Sequence, residues 1–101
     1  MTVEKKPLKT KPVCKVKFLL SGRPYDAATS VTLVGDFNDW STDQTPFKKD
    51  KDGNWSVSLN LDSQKEHQFR YLIDGAHWEN EPDADKFIPN GLSSENSVLV
   101  L

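Results

Sequence analysis

Apolar and polar residues alternate with a period of two over most of this chain, and no segment sustains the period of a helix. Between Cys14 and Leu20, the side chains of Cys14, Val16, Phe18 and Leu20 share one face, with Lys15, Lys17 and Leu19 opposite. That is the pattern of a half-buried strand. Val31, Leu33 and Gly35 alternate in the same way with Thr32 and Val34. From Asn54 to Leu61 the shared face carries Trp55, Val57, Leu59 and Leu61, which makes Trp55 a core tryptophan. Phe69, Tyr71 and Ile73 point one way, Gln68, Arg70 and Leu72 the other. Asn96 to Leu101 reads as a last apolar strand.

Turn formers punctuate these runs. Asp52-Gly53 and, more strongly, Asp74-Gly75 are hairpin signals, the second delivering Ala76-His77-Trp78 on a returning strand. Pro46-Phe47 begins a short strand interrupted by Lys48 to Asp52, and Phe87 to Leu92 reads as irregular. Six or seven short strands, with turn signals roughly every ten residues, predict an all-β antiparallel sandwich.

Length and charge narrow the picture. A chain of 101 residues supports one domain. Residues 1–12, with Lys5, Lys6, Lys9, Lys11, Pro7 and Pro12, read as a flexible basic arm ahead of a sandwich over 13–101. A formal net charge of -2 gives no general pull toward nucleic acid or an anionic membrane. No apolar run approaches the ~18 residues of a membrane span, and no secretory signal is evident, so a cytoplasmic setting is expected. The single cysteine, Cys14, has no internal disulfide partner and lies on an apolar strand face, as a small core residue would.

Catalysis finds no foothold. Glu79, Glu81, Asp83 and Asp85 crowd one segment that reads as a solvated acidic loop, whereas glycoside hydrolysis needs two carboxyls placed across a cleft. His67 and His77 are too isolated for a metal site. No phosphate-cradling glycine motif or activated nucleophile is present. Neither an enzyme nor a cofactor is expected.

What remains is a set of planar groups outside the alternating core. Trp40 follows the turn formers Asp36, Asn38 and Asp39 and precedes Ser41, Thr42, Asp43 and Gln44. It is either a lid folded back on the sandwich or an open platform. Pairing across Asp74-Gly75 brings Trp78 close to the strand carrying Arg70. Two open indoles and a nearby arginine suit a flat ligand with apolar faces and polar edges, and a glucose unit is such a ligand. Nucleic acid also stacks on aromatics, but it would want a basic groove. At ~25 cal/mol/Å² over one face of each ring, less the cost of association, affinity falls in the micromolar to millimolar range.

Three ordered motifs then resemble one family. V-T-L-V-G-D-F-N-D-W, then E-H-Q-F-R-Y-L-I-D-G with a tryptophan just after, then N-G-L-S-S-E-N-S-V-L-V, resemble carbohydrate-binding module family 48. That family includes the glycogen-binding domain of the AMP-activated protein kinase β subunit and the N-terminal early-set domains of isoamylases and branching enzymes. The resemblance runs from about residue 13 to the end. It implies an immunoglobulin-like early-set β-sandwich that binds α-1,4-linked glucans such as glycogen, starch or maltooligosaccharides, with no cofactor. It places the family's two stacking tryptophans on Trp40 and Trp78 and its basic strand residue on Arg70, an arginine where the kinase domain has lysine. It also places the leucine wedge on Leu92, a glucan-proximal hydroxyl on Ser94 and the hydroxyl-binding amide on Asn96. The implied partners are an α-glucan and a glycoside hydrolase or other glucan-metabolising enzyme. The alternative is a structural or protein-interaction module docking on such an enzyme without sugar affinity, through an outward apolar patch of Leu19, Val34, Leu72, Leu99 and Leu101.

Overall fold

In a computed structural model that describes residues 3–22, 25–89 and 94–101, nine strands make two antiparallel sheets. The strands are β1 (Val3–Pro7), β2 (Val13–Leu20), β3 (Val31–Gly35), β4 (Lys48–Lys49), β5 (Trp55–Asp62), β6 (Glu66–Ile73), β7 (His77–Glu79), β8 (Lys86–Pro89) and β9 (Glu95–Val100). One sheet runs β1-β2-β5-β4; the other runs β3-β6-β9-β8, with β7 pairing a further stretch of β6. Single 3-10 turns at Tyr25–Ala27 and Asp36–Asn38 flank β3. The all-β sandwich is as the alternation implies, and its immunoglobulin-like build is as the resemblance implies, the alternating strands β2 and β6 turning one side-chain row to the space between the sheets.

The buried rows meet between the sheets. Cys14, Val16, Phe18, Leu20, Trp55 and Leu61 from one sheet pack with Val31, Leu33, Phe69, Tyr71, Ile73 and Leu99 from the other. Tyr71 stands edge-on among Phe47, Phe69 and Tyr25, at centroid separations of 5.7, 5.6 and 6.1 Å, the geometry aromatic quadrupoles prefer. Trp55 is in the core as expected, and its Nε1 donates to the Tyr25 carbonyl at 2.9 Å.

Strands appear where the sequence suggested none. Val3–Pro7 is not a mobile arm: it pairs along the whole of its length with β2, Val3 opposite Phe18 and Pro7 opposite Cys14. Val3 is buried in the core, and Lys5 Nζ reaches across the sandwich edge to the Asp85 carboxylate and the Val100 carbonyl. A burial of one valine, worth ~1.5–3 kcal/mol, is invisible in a segment dominated by lysine and proline. Lys48–Lys49 pairs with Trp55–Ser56 as a two-residue edge strand rather than interrupting one. Lys86–Pro89 is strand, not irregular chain, zipped to Glu95–Asn96–Ser97–Val98.

Candidate functional site

Register decides which side chains share the outer face of the β3-β6-β9-β8 sheet. Gln68, Arg70 and Leu72 leave β6 on the side opposite the core; Thr32 and Val34 of β3 pair with Leu72 and Arg70. Trp78 of β7 stands opposite Leu72, and Val98 of β9 opposite Gln68, with Asn96 two residues away on the same side. Val34, Leu72 and Val98 are buried yet stand apart from the cluster between the sheets. They form an apolar underlayer beneath a polar and aromatic surface.

Arg70 lies against the Trp78 ring, its guanidinium carbon 5.3 Å from the ring centroid. That contact is worth ~0.5–1 kcal/mol at an exposed site and fixes the tilt of both groups. The Nε of Arg70 is buried and has no hydrogen-bond partner among the described residues. Asn96 is only 9% exposed, and its Nδ2 donates to Gln68 Oε1 at 3.1 Å. Gln68 thus joins the face, although only its alternation with Arg70 and Leu72 marked it in the sequence. Ser94 is half-buried just ahead of β9. Leu92 lies outside the described residues.

Trp40 is delivered by a stapled turn. Asn38 is buried; its Oδ1 accepts from the Gly35 N–H at 3.1 Å, and its Nδ2 donates to Leu33 O at 2.9 Å and Thr45 Oγ1 at 3.1 Å. Asn38 therefore bonds the nearby backbone, as its short side chain allows. Asp39 and Trp40 both sit at φ 57, and the Trp40 N–H returns to Gly35 O at 2.8 Å. A bulky residue in the left-handed region is strained by roughly 1 kcal/mol or more, a cost that persists where neighbours over-determine the backbone. Gly35 is required by space, not by φ: a Cβ there would meet Gln68 O and the Phe37 ring at 2.6 Å.

Both indoles are open. Trp40 is 39% and Trp78 42% exposed, against 5% for Trp55. The backbone that anchors Trp40, Gly35, pairs with Phe69, three residues along β6 from Leu72 and Trp78. Strand rise and spacing then separate Gly35 from Trp78 by roughly 14 Å.

The segment after Trp78 is held from inside. Asp74 and Gly75 take φ 53 and 68, with the Ala76 N–H bonded to Ile73 O at 3.1 Å, a tight hairpin turn of the primed type. Asp74 Oδ1 accepts from the Thr29 hydroxyl and from the Thr29 and Ser30 amides, which holds its carboxyl below the usual range. Glu81 does not belong to a solvated acidic loop: it is fully buried. Its Oε1 accepts from the Tyr71 hydroxyl at 2.7 Å and its Oε2 from the Asp83 N–H at 2.8 Å. Its own N–H donates to Ser97 Oγ, which in turn donates to Asn80 Oδ1. Glu79, Asp83 and Asp85 are exposed, as expected. Burial and the neighbouring carboxylates Glu79 and Glu81 push the Tyr25 hydroxyl up to about 12, and burial with Glu81 beside it raises Tyr71 further.

The outward apolar patch does not form. Leu99 packs in the core, Val34 and Leu72 are buried beneath the aromatic face, and Leu101 packs partly against the core, leaving Leu19 alone on the other sheet. Among the described residues no cluster of three or more His, Cys, Asp or Glu side chains is placed to hold a metal ion.

The two-sheet antiparallel sandwich thus carries two open indoles, one of them against a guanidinium. The family described as Carbohydrate-binding module 48 (Isoamylase N-terminal domain) matches residues 25–90, more than half of the chain, and the chain belongs to it. The match takes in Trp40, Arg70 and Trp78. No curated protein matches the chain.

Proposed function

We propose that this domain binds α-1,4-linked glucans such as glycogen, starch or maltooligosaccharides, and does no chemistry on them. Trp40 and Trp78 are the stacking platforms for glucosyl rings. Arg70 and Asn96 bond sugar hydroxyls, with Ser94 beside them, and Leu92 is the apolar wedge. One observation carries the reading: two of the three tryptophans stand open, one of them braced by an arginine over a buried apolar underlayer. Open, pre-positioned rings lose little side-chain freedom when a ligand lands, which favours binding. Glu81, with both carboxylate oxygens bonded inside the fold, is spent on structure rather than on acid-base work.

Titration with maltoheptaose or β-cyclodextrin, followed by tryptophan fluorescence, tests the proposal. A saturable change with a dissociation constant in the micromolar to millimolar range is expected. A flat response with both ligands refutes it.

A further inference from the structure

The β1-β2-β5-β4 sheet also turns one face to solvent, and its register concentrates lysine there. Lys6 stands opposite Lys15 and Glu4 opposite Lys17; the row continues through Asn60, Ser58 and Ser56, which pair with Lys15, Lys17 and Leu19, to Lys48 opposite Ser56. Lys6, Lys15, Lys17 and Lys48 are all exposed, and among the described residues the face holds two carboxylates, Glu4 and, one alternation beyond Asn60 on β5, Asp62. The face therefore carries a formal +2 within a chain of net charge -2. A shallow groove of about 190 Å³ runs among Glu4, Lys6, Lys15 and Lys17. The ion pairs among the described residues use Lys5, Lys65, Lys86 and His67, and none uses these four lysines.

Two ordinary explanations fall short. Lysines on edge strands discourage edge-to-edge aggregation, which accounts for Lys6 on β1 and Lys48 on β4. It does not account for Lys15 and Lys17, because β2 is flanked by β1 on one side and β5 on the other. Solubility is best served by both signs interspersed, whereas Lys6 and Lys15 are like charges directly opposite each other, an arrangement that disfavours the sheet. The sheet carries an excess of cations on this face at some expense to its own stability.

We infer that this face docks an acidic protein surface, by charge complementarity through Lys6, Lys15, Lys17 and Lys48. The four cations are lysines, point charges without the fork that favours bidentate phosphate contacts. Among the described residues the face carries no aromatic platform for bases. Ser56, Ser58 and Asn60 supply neutral donors and acceptors, and half-buried Leu19 supplies an apolar spot, a mixture suited to a protein interface rim rather than to a headgroup layer. The aromatic face lies on the other sheet, so sugar binding and docking involve separate residues.

Amide-shift titration of the labelled full chain with poly-L-glutamate at low ionic strength tests this. Shifts confined to β1, β2, β4 and β5 are expected, collapsing at high salt as screening shortens the reach of the charges. Lys15→Gln/Lys17→Gln should weaken the interaction at least about fivefold, with maltoheptaose binding unchanged. Lys65→Gln/Lys86→Gln, which removes the same charge elsewhere, should leave it within about twofold. No shift on these strands, or equal weakening by the two double variants, overturns the inference. So does a response to phosphatidylserine vesicles or duplex DNA at least as strong as that to poly-L-glutamate, or salt-sensitive self-association that accounts for the shifts. Because the sugar titration is a separate readout, failure here leaves the glucan proposal standing, and the reverse holds.

Discussion

Truncating Trp78 to alanine separates a binding platform from a packing residue. With 42% of the residue exposed, a ring of roughly 250 Å² in total offers about 100 Å² to a ligand. A glucosyl unit covering all of it would contribute about 2.5 kcal/mol at ~25 cal/mol/Å², and covering half of it about 1.3 kcal/mol. Trp78→Ala should therefore weaken maltoheptaose binding by about 10- to 60-fold. The fold loses the Arg70 contact, ~0.5–1 kcal/mol, and some cover over buried Leu72. Melting should fall by several degrees, since about 1 kcal/mol moves the midpoint of a domain this size by about 4–8 °C. The comparison is Trp55→Ala, where loss of a core ring should remove about 3–5 kcal/mol and threaten folding. Isothermal titration calorimetry and a thermal melt on each variant decide the matter. If Trp78→Ala binds within about threefold of the parent, or unfolds as readily as Trp55→Ala, the platform reading is wrong.

Other consequences are open to the same instruments. Trp40→Ala should also weaken maltoheptaose binding at least about tenfold, because its 39% exposure offers a similar area; an unfolded variant would restore the lid reading. Removing residues 1–7 should lower stability by about 2–3 kcal/mol in urea, from loss of Val3 burial and the Lys5–Asp85 tie; an unchanged midpoint would show that β1 contributes nothing. Gly35→Ala should destabilise by about 1–3 kcal/mol, since its Cβ would run into Gln68 O and the Phe37 ring; the melt checks it. The chain has two tyrosines, both with raised pKa values, Tyr25 at about 12. Folding favours their neutral forms, so stability is fully present below the unfolded value near 10 and declines as pH rises from 10 through 12. Tyrosinate absorbance should appear together with loss of near-UV circular dichroism. A tyrosine ionising near pH 10 with the fold intact would contradict the burial.

Alternation placed most of the core, though not Leu99, which read as outward, or Val3. Val16, Phe18, Leu33, Trp55, Phe69 and Tyr71 occupy the inner face because a strand turns successive side chains to opposite sides. The Asp74-Gly75 hairpin was equally legible, since few residue pairs tolerate two consecutive positive φ values. Trp40 and Trp78 could be singled out because each follows turn formers instead of continuing an apolar row. Pairing was not legible. Val3–Pro7 and Lys86–Pro89 look like loop until β2 and β9 supply the partners for their backbone groups. Glu81 looks solvated among other acids until Tyr71 and Ser97, remote in sequence, close around it. Val34 and Leu72 resemble an exposed patch until the surface above them is assembled from β6 and β7.

Local chemistry thus determined which residues form strands, which turn, and which rings stand outside the alternating rows, since those follow from side-chain direction and backbone strain within a few residues. Tertiary structure alone decided that Arg70 braces Trp78, that Gln68 pairs with Asn96, and that four lysines line one face. Each of those depends on which strand lies beside which, and register between strands distant in sequence is set by the burial of both sheets together, not by any one segment.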